Sequence, residues 1–356
     1  MKRHAENPYT LTFGKVPSQT IPRHLQKAEV VDALCRDHPS QQAFMITGVR
    51  GAGKTVFMAE IAQDMRSRPD WIFVELNPEK DMTHELAAKL CSYNALSKIF
   101  RSASINLSLL GLGVGLKTGD PIADIDTALE RMFASLKKAG RKVLISIDEV
   151  TSSKEMRIFV HTFQTLVKND MPIYLIMTGL YENIENLQNQ RTMTFLYRAP
   201  KIILRPLRID AIAENYRSVL EVDEETSLKM ARSTYGYPYA FQLLGYFVWE
   251  YGDDPASVQP RYRDYLEEYV YDKIWSELSE QDKAVLNAIA SSTDSKVGAV
   301  REQLQMSANL FNQYRRRLIR KGLIDGEEFG HVHLTLPLFA QYIKSHMYDA
   351  GDGRWL

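Results

Sequence analysis

One segment, residues 48–55 with the sequence GVRGAGKT, restricts the fold of this chain more than any other. It follows an apolar run at residues 43–47 and precedes residues 56–65, whose apolar spacing is typical of an amphipathic helix. Every fixed position of the pattern G-x-x-x-x-G-K-[S/T] is present, in the strand-to-helix setting that its mechanism requires. The segment therefore predicts a strand, a phosphate-binding loop and a helix, in that order.

Each residue type in this segment suits phosphate binding. Gly48, Gly51 and Gly53 permit backbone angles that turn successive N–H groups inward, and the positive end of the following helix also attracts anions. Lys54 is predicted to reach the β- and γ-phosphates, and the Thr55 hydroxyl to ligate Mg²⁺. A glycine-rich turn without a ligand is the disfavoured alternative. We expect ATP and Mg²⁺ as ligands of Gly48, Val49, Arg50, Gly51, Ala52, Gly53, Lys54, Thr55 and Val56.

A second strand pattern, residues 142–147, runs directly into Asp148 and Glu149. At the carboxyl end of a strand, Asp148 can hold Mg²⁺ through its waters and Glu149 can polarise an attacking water. Adjacent acids are common in loops, so the pair alone is weak evidence. It follows the phosphate loop after several helical patterns, however, and the two motifs support each other.

Further strand patterns at residues 71–76, 173–178 and 201–204 alternate with helical patterns, which predicts an α/β fold. Thr178 ends one of these strands and is predicted to orient the attacking water. Residues 104–116 alternate apolar and small residues around two glycines, which predicts a β-hairpin inserted into the α/β alternation. A flap packed on its own domain is favoured over a hairpin that contacts a partner.

The composition excludes several classes of protein. Lysine plus arginine and aspartate plus glutamate both number 44, so no global field attracts polyanions or anionic membranes. Cys35 and Cys91 are the only cysteines, and neither lies in a spacing that binds zinc. No secretory leader and no run of about 18 apolar residues occurs. We expect a cytoplasmic protein without membrane partners.

At 356 residues the chain is expected to form more than one domain. After the last strand pattern, the chain is helical almost to its end, and its final part reads as three helices followed by a hairpin. That order is typical of a winged helix-turn-helix. The predicted parts are an extended arm at 1–22, an α/β core at 23–207, a helical lid at 208–252, a linker helix at 253–278 and a winged helix at 279–350.

The segments GVRGAGKT, VLISIDE, the strand ending at Thr178 and the LRPL after the fifth strand resemble the P-loop ATPase core of the AAA+ and STAND classes. Within them, the chain resembles archaeal-type and origin-recognition-like ATPases, and its opening NPYTLTFGKVP resembles a bacterial branch of ATP-binding proteins. The resemblance covers roughly residues 7–345. It implies a parallel sheet with the phosphate-loop strand central, a helical lid and a C-terminal winged helix.

The resemblance also assigns roles to single residues. It makes Thr178 a sensor and Arg198 an arginine finger for a neighbouring copy, although Arg198 can equally cap or salt-bridge near its own strand. Gly236–Tyr237–Pro238 resembles a turn of STAND ATPases in which the proline, here Pro238, lies against the nucleotide. The arginine that AAA+ initiators carry at the start of the last lid helix is missing, which favours a slow switch.

The helix predicted at residues 307–321 has an outward face that suits binding in the major groove of DNA. Leu310, Tyr314 and Leu318 are predicted to face inward, which leaves amide and guanidinium groups outward. Against DNA, residues 279–356 hold ten basic and nine acidic residues, and the predicted wing tip has two glutamates. The candidate DNA contacts are Asn312, Gln313, Arg316 and Arg320.

Together these patterns predict a slow ATP-hydrolysing switch that couples its nucleotide state to double-stranded DNA through the winged helix. The alternative is a STAND-like regulator whose winged helix engages a protein. A small-molecule kinase is disfavoured because no acceptor pocket or arginine-rich phosphate lid is evident. A nucleotide-dependent homo-oligomer follows if Arg198 acts on a neighbouring copy.

Overall fold

The structure, a computed structural model, describes residues 6–12, 16–37, 39–112, 121–190, 193–252 and 254–349. Its main sheet has five parallel strands in the order β2-β3-β4-β1-β5. The continuous apolar runs of β1, β2, β3 and β4 become strands buried on both faces at nearly every position, as expected of a parallel sheet, whereas the edge strand β5 is partly exposed. The strands are β1 Ala43–Thr47, β2 Trp71–Leu76, β3 Lys142–Ile147, β4 Ile173–Gly179 and β5 Lys201–Ile203.

Helices alternate with these strands. Three of them begin at a side-chain cap, because Asp81, Asp124 and Ser153 each accept a hydrogen bond from the backbone N–H three residues on. The helices are α1 His24–Cys35, α2 Lys54–Arg66, α3 Met82–Ser92, α4 Asn94–Ser102, α5 Ile125–Lys138, α6 Lys154–Lys168 and α7 Tyr181–Gln188.

The strand order brings three chemically important strand ends together. β4 lies between β3 and β1, and the register pairs Ile147 with Met177 and Thr47 with Gly179. The carboxyl ends of β3, β4 and β1 therefore lie side by side at one edge. The phosphate-loop strand is inside the sheet, second from the β5 edge, with neighbours on both sides.

The predicted β-hairpin at residues 104–116 is wrong for the described part of that segment. Ser108–Leu110 form a 3₁₀ helix, and Asn106 makes only an isolated parallel bridge to Pro121. The alternating apolar residues Ile105 and Leu107 are fully buried in the core that α3 and α5 also line. Their period of two therefore reflects packing onto helices. Residues 113–116 lie outside the described residues.

The chain divides into two compact units. One holds Arg23–Thr47 and Lys54–Ile203, and the other holds the described residues of Met1–Pro22, Gly48–Gly53 and Leu204–Leu356. The second unit is mainly helical: α8 Ile209–Leu220, α9 Glu224–Ser233, α10 Pro238–Tyr251, α11 Gln259–Leu266, α12 Asp272–Ser276, α13 Glu280–Ser291, α14 Val297–Gln303, α15 Ala308–Lys321 and α16 Phe339–Asp349.

Two features complete this second unit. A π-helical turn, Glu267–Tyr271, joins α11 to α12. After α15, the short strands β6 Ile324–Asp325 and β7 His333–Leu334 pair antiparallel, and Lys296 bridges to His331 beside them. Within the described residues, no helix is both long enough and apolar enough to cross a membrane.

The described residues of the N-terminal arm bind α8 and α10. The Tyr9 hydroxyl donates to Asn215 Oδ1 at 2.8 Å, and the Asn7 amide donates to the Tyr246 carbonyl at 3.2 Å. The Tyr9 ring meets Phe241 edge-on and lies so close to Gly245 that a Cβ there would be 2.6 Å from it. The arm is therefore part of the helical unit.

Candidate nucleotide site

The phosphate loop joins β1 to α2 through a tight turn. The Ala52 N–H donates to the Val49 carbonyl at 3.1 Å, and Gly51 and Gly53 have φ angles of +75° and +81°. These left-handed angles are why glycine is required at both positions. Gly48 needs glycine for space instead, because a Cβ there would lie 3.1 Å from the Ala52 Cβ. Lys54 is the first residue of α2, and Lys54, Thr55 and Val56 are half-buried.

The carboxylate of Asp148 accepts hydrogen bonds from two hydroxyl groups. Thr55 Oγ1 donates to Oδ2 at 2.7 Å, and Thr178 Oγ1 donates to Oδ1. The three side chains come from α2, from the residue after β3 and from β4. The structure thus brings together three residues that the sequence predicted for one site, and it links the predicted Mg²⁺ ligands Thr55 and Asp148 directly.

The backbone of Glu149 is held in an unusual conformation. Its φ is +53°, a left-handed angle that a side-chain-bearing residue adopts at a cost of order 1–3 kcal/mol. Its N–H donates to Thr178 Oγ1 and to Asp148 Oδ1, both at 3.1 Å, and these bonds hold the conformation. The side chain is exposed, where it can reach a water molecule. Such strained residues cluster at active sites.

Within the helical unit, Tyr237 contacts the phosphate loop and was not predicted to do so. Its hydroxyl donates to the Arg50 carbonyl at 2.6 Å. The predicted nucleotide contact, Pro238, is the next residue and the first of α10. The sequence signal for Tyr237 is its place inside the Gly236–Tyr237–Pro238 turn, of which only the proline was predicted to contact the nucleotide.

Arg198 ends a 3₁₀ helix, Thr194–Arg198, just before β5. Its side chain is exposed and forms no salt bridge with any residue the structure describes. The neighbouring cation, Lys201, instead lies over the rings of Tyr181 and Tyr197 at 5.4 Å and 5.7 Å. An exposed guanidinium beside an edge strand is accessible to another molecule.

The face of α15 differs from prediction at one position. Leu310 was predicted to face inward but is 41% exposed, and Phe311 is buried in its place beside Leu318. Phe311, Tyr314 and Leu318 follow one another at intervals of three and four residues, which places them on one helical face. The predicted outward residues are all exposed: Asn309, Asn312, Gln313, Arg316 and Arg320.

Three basic residues of α15 bind within their own unit. Arg317 donates to the buried carboxylate of Asp282 at 2.6 Å, and Lys321 lies 3.7 Å from it. Arg315 donates to the Gly326 carbonyl at 3.0 Å. The basic run at residues 315–321 therefore offers fewer cations to a partner than its sequence indicates.

Comparison with known families supports the phosphate-loop assignment. Residues 23–109 match the KAP family P-loop domain. Residues 268–343 match a family described as Domain of unknown function (DUF8462). No curated protein matches the sequence.

Two solved structures share the fold over nearly the whole chain. A Walker-type ATPase of Pyrococcus abyssi is 15% identical, with a TM-score of 0.64, covering 91% of this chain and 96% of that one. The ORC2 protein of Aeropyrum pernix, in ADPNP and ADP complexes, is 12% identical, with a TM-score of 0.58, covering 96% and 97%.

The chain has the P-loop NTPase fold. The match of residues 23–109 to the KAP P-loop domain and the two structural matches support this fold, as the sequence predicted. At these identities the solved structures bear on the fold alone. The assignment of single residues therefore depends on the geometry described above and on mutation.

Lys54→Ala tests the phosphate loop. We expect ATP affinity to fall roughly 10- to 100-fold, the equivalent of the ~1.5–3 kcal/mol typical of a hydrogen bond to a charged group. Isothermal titration calorimetry would measure it. Lys154→Ala is the matched control, because Lys154 is also the first residue of a helix but follows no glycine-rich loop. Equal ATP affinity in both variants would contradict the assignment.

Proposed function

We propose that this P-loop fold binds ATP with Mg²⁺, hydrolyses it slowly and acts as a nucleotide-dependent switch. The observation that carries the proposal is that the carboxylate of Asp148 accepts hydrogen bonds from the hydroxyls of Thr55 and Thr178. Hydroxyl and carboxylate oxygens are the ligands that Mg²⁺ prefers. The donor set of Thr55 and Asp148 thus fits the ion, which would neutralise charge on the phosphates when bound.

The remaining chemistry is assigned to this chain's own side chains. Lys54 supplies a positive charge to the β- and γ-phosphates, and Glu149 accepts a proton from the attacking water. The Thr178 hydroxyl orients that water. Slow turnover is proposed because α10 starts with Pro238 and has no charged residue in its first turn. The AAA+ initiators that the chain resembles carry an arginine there, which contacts the γ-phosphate.

For the C-terminal part, we propose a winged helix that binds double-stranded DNA. The helix pair α14 and α15 is separated by residues 304–307, and β6 and β7 follow as a small antiparallel pair. This order supports a helix-turn-helix with a wing. The exposed amides of Asn312 and Gln313 suit base edges, and the exposed Arg316 and Arg320 suit phosphates. We also propose that residues 208–252 form a helical lid and that residues 253–278 link this lid to the winged helix.

A protein partner is the second candidate, and the wing tip favours it. Phe329 is fully exposed there, at 100%, beside the exposed Glu327 and Glu328. Carboxylates repel phosphate, whereas an exposed aromatic side chain is a common anchor at protein interfaces. This tip therefore supports the alternative of a STAND-like regulator.

Two further parts of the proposal concern location and assembly. The cytoplasm is proposed because a chain of 356 residues has only two cysteines. A nucleotide-dependent homo-oligomer is proposed because the exposed Arg198 suits a finger that completes a neighbour's site.

Glu149→Gln tests hydrolysis. An amide cannot accept the proton of the attacking water, so we expect the single-turnover rate to fall about 10²- to 10⁴-fold. ATP affinity should stay near the parental value because the side chain is not among the phosphate ligands. Single-turnover hydrolysis of radiolabelled ATP measures the rate. Hydrolysis at the parental rate would remove Glu149 from the mechanism.

Mixing variants tests Arg198. Arg198→Ala subunits retain an intact phosphate loop, and Lys54→Ala subunits retain an intact arginine. If the arginine acts across subunits, the mixture should hydrolyse ATP faster than either variant alone. The parental rate per subunit should also rise with protein concentration. A rate that is independent of concentration would indicate a monomer.

The double variant Arg316→Ala/Arg320→Ala tests DNA binding. Each lost phosphate contact should reduce the salt slope of duplex affinity by about one unit, and each lost base contact should cost roughly 1–3 kcal/mol. Fluorescence anisotropy with ATP or ADP would measure both. Arg217→Ala/Arg263→Ala is the control, because it removes two charges from the same unit outside α15.

The same measurement decides between the two partners. If both double variants bind duplex equally, or if the parental chain binds none with either nucleotide, the DNA proposal fails. The protein-binding alternative then takes its place, and the wing tip becomes the first surface to mutate.

A further inference from the structure

Three consecutive residues of the phosphate loop meet the helical unit to which that loop belongs. Val49 lies against Gly322, where an added Cβ would be 3.5 Å from the Val49 Cβ. Gly322 is the residue that ends α15, with a φ of +76°. The residue that caps the candidate DNA-reading helix therefore lies close to the phosphate loop.

The next residue, Arg50, is held through its side chain and its backbone. Its guanidinium lies 3.5 Å from the carboxylate of Glu277, which also pairs with Lys273 at 3.1 Å. Glu277 is the residue that ends α12. The Arg50 carbonyl accepts the hydrogen bond from the hydroxyl of Tyr237.

Gly51 completes the contact. A Cβ at this position would lie 2.2 Å from the Tyr237 hydroxyl and 3.0 Å from the Tyr239 Cβ, so the tyrosine occupies the space that a side chain would need. Glycine at residue 51 is therefore required both by its left-handed φ and by Tyr237. The sequence motif leaves this position variable, so the contact with Tyr237 is a constraint that the motif itself does not contain.

The backbone bond to Tyr237 also sets the direction of a donor. A trans peptide points its C=O and N–H in opposite directions, and the Arg50 carbonyl shares its peptide plane with the Gly51 N–H. Fixing the carbonyl toward Tyr237 thus directs the Gly51 N–H away from it. A loop that binds phosphate through its N–H groups depends on such orientation.

Tyr237 itself has little freedom. It is 4% exposed, and the preceding Gly236 packs so closely on the Leu207 carbonyl that an added Cβ would be 2.4 Å from it. The Gly236 carbonyl accepts from the Leu207 N–H at 2.7 Å. Burial raises the pKa of Tyr237 well above its usual value, so the hydroxyl remains a donor at physiological pH.

We propose that Tyr237 is a positioning residue for the phosphate loop, and that its bond to Arg50, with the contacts of Glu277 and Gly322, forms a clasp that links nucleotide occupancy to α15. The clasp rests on the proposed nucleotide binding, but not on the identity of the partner. Because the two sites are thermodynamically linked, a nucleotide that reshapes the loop changes the clasp, and the clasp changes nucleotide affinity.

Tyr237→Phe removes only the hydroxyl from the clasp. We expect nucleotide affinity to fall about fivefold, the effect of one hydrogen bond of ordinary strength, mainly through faster dissociation. Stopped-flow release of a fluorescent ADP analogue from the full chain would measure it. Tyr216→Phe is the matched control, because its buried hydroxyl also donates to a backbone carbonyl, that of Phe241 at 2.8 Å, away from the loop.

Comparing the parental chain with the two tyrosine variants distinguishes failure of the inference about Tyr237 from failure of the proposed nucleotide binding. If the parental chain binds nucleotide and Tyr237→Phe releases it at the same rate, Tyr237 is not a positioning residue and this inference alone falls. If Tyr216→Phe slows or speeds release equally, general destabilisation explains the effect and the inference also falls. If the parental chain binds no nucleotide, the proposed function falls with it.

Hydrogen exchange tests the link to α15. At saturating ATP, amides at residues 318–324 of the parental chain should exchange at rates different from those without nucleotide. The difference should shrink in Tyr237→Phe/Glu277→Gln and persist in Tyr216→Phe/Glu280→Gln, whose Glu280 pairs with Lys283 at 2.8 Å. The same nucleotide-dependent difference in both double variants would overturn the clasp.

Discussion

The carboxylate of Asp148 is the point on which the candidate site depends. It accepts hydroxyl donors from Thr55 and Thr178, so it ties the start of α2 to the end of β4 beside the end of β3. This arrangement exists because β4 lies between β3 and β1 in a parallel sheet, with the three strand ends in register. The apolar strands thus determine the positions of Thr55, Asp148 and Thr178, because these residues lie at or just beyond the strand ends that the pairing places side by side.

Much of this arrangement could be predicted from sequence because its residues are tied to local patterns. The glycine-rich loop and the acid pair each follow a buried strand directly, Thr178 lies at the carboxyl end of another, and parallel strands end at one edge. The five strands were predictable as continuous apolar runs. Their order was not, since it depends on long-range pairing, and the resemblance to a family implied only a parallel sheet with the phosphate-loop strand central.

The parts that sequence could not predict depend on contacts between distant residues. Ile105 and Leu107 alternate as in a strand, yet they are buried in a core lined by helices. Leu310 and Phe311 are adjacent apolar residues of one helix, and only tertiary packing decides which is buried. The contact of Tyr237 with Arg50 spans 187 positions of the chain, and no local pattern reports such a pair.

The charges of α15 place a limit on the proposed DNA partner. Arg315, Arg317 and Lys321 bind within their own unit, and the proposed phosphate contacts of this helix are the two exposed arginines Arg316 and Arg320. Duplex affinity falls with salt by about 0.9 log units per log unit for each phosphate neutralised, so two contacts give weak binding. Tight binding would therefore require several copies side by side. If Arg198 completes a neighbour's site, as proposed, the same assembly would also be needed for ATP hydrolysis, and the proposed DNA binding and hydrolysis would then both depend on one oligomer.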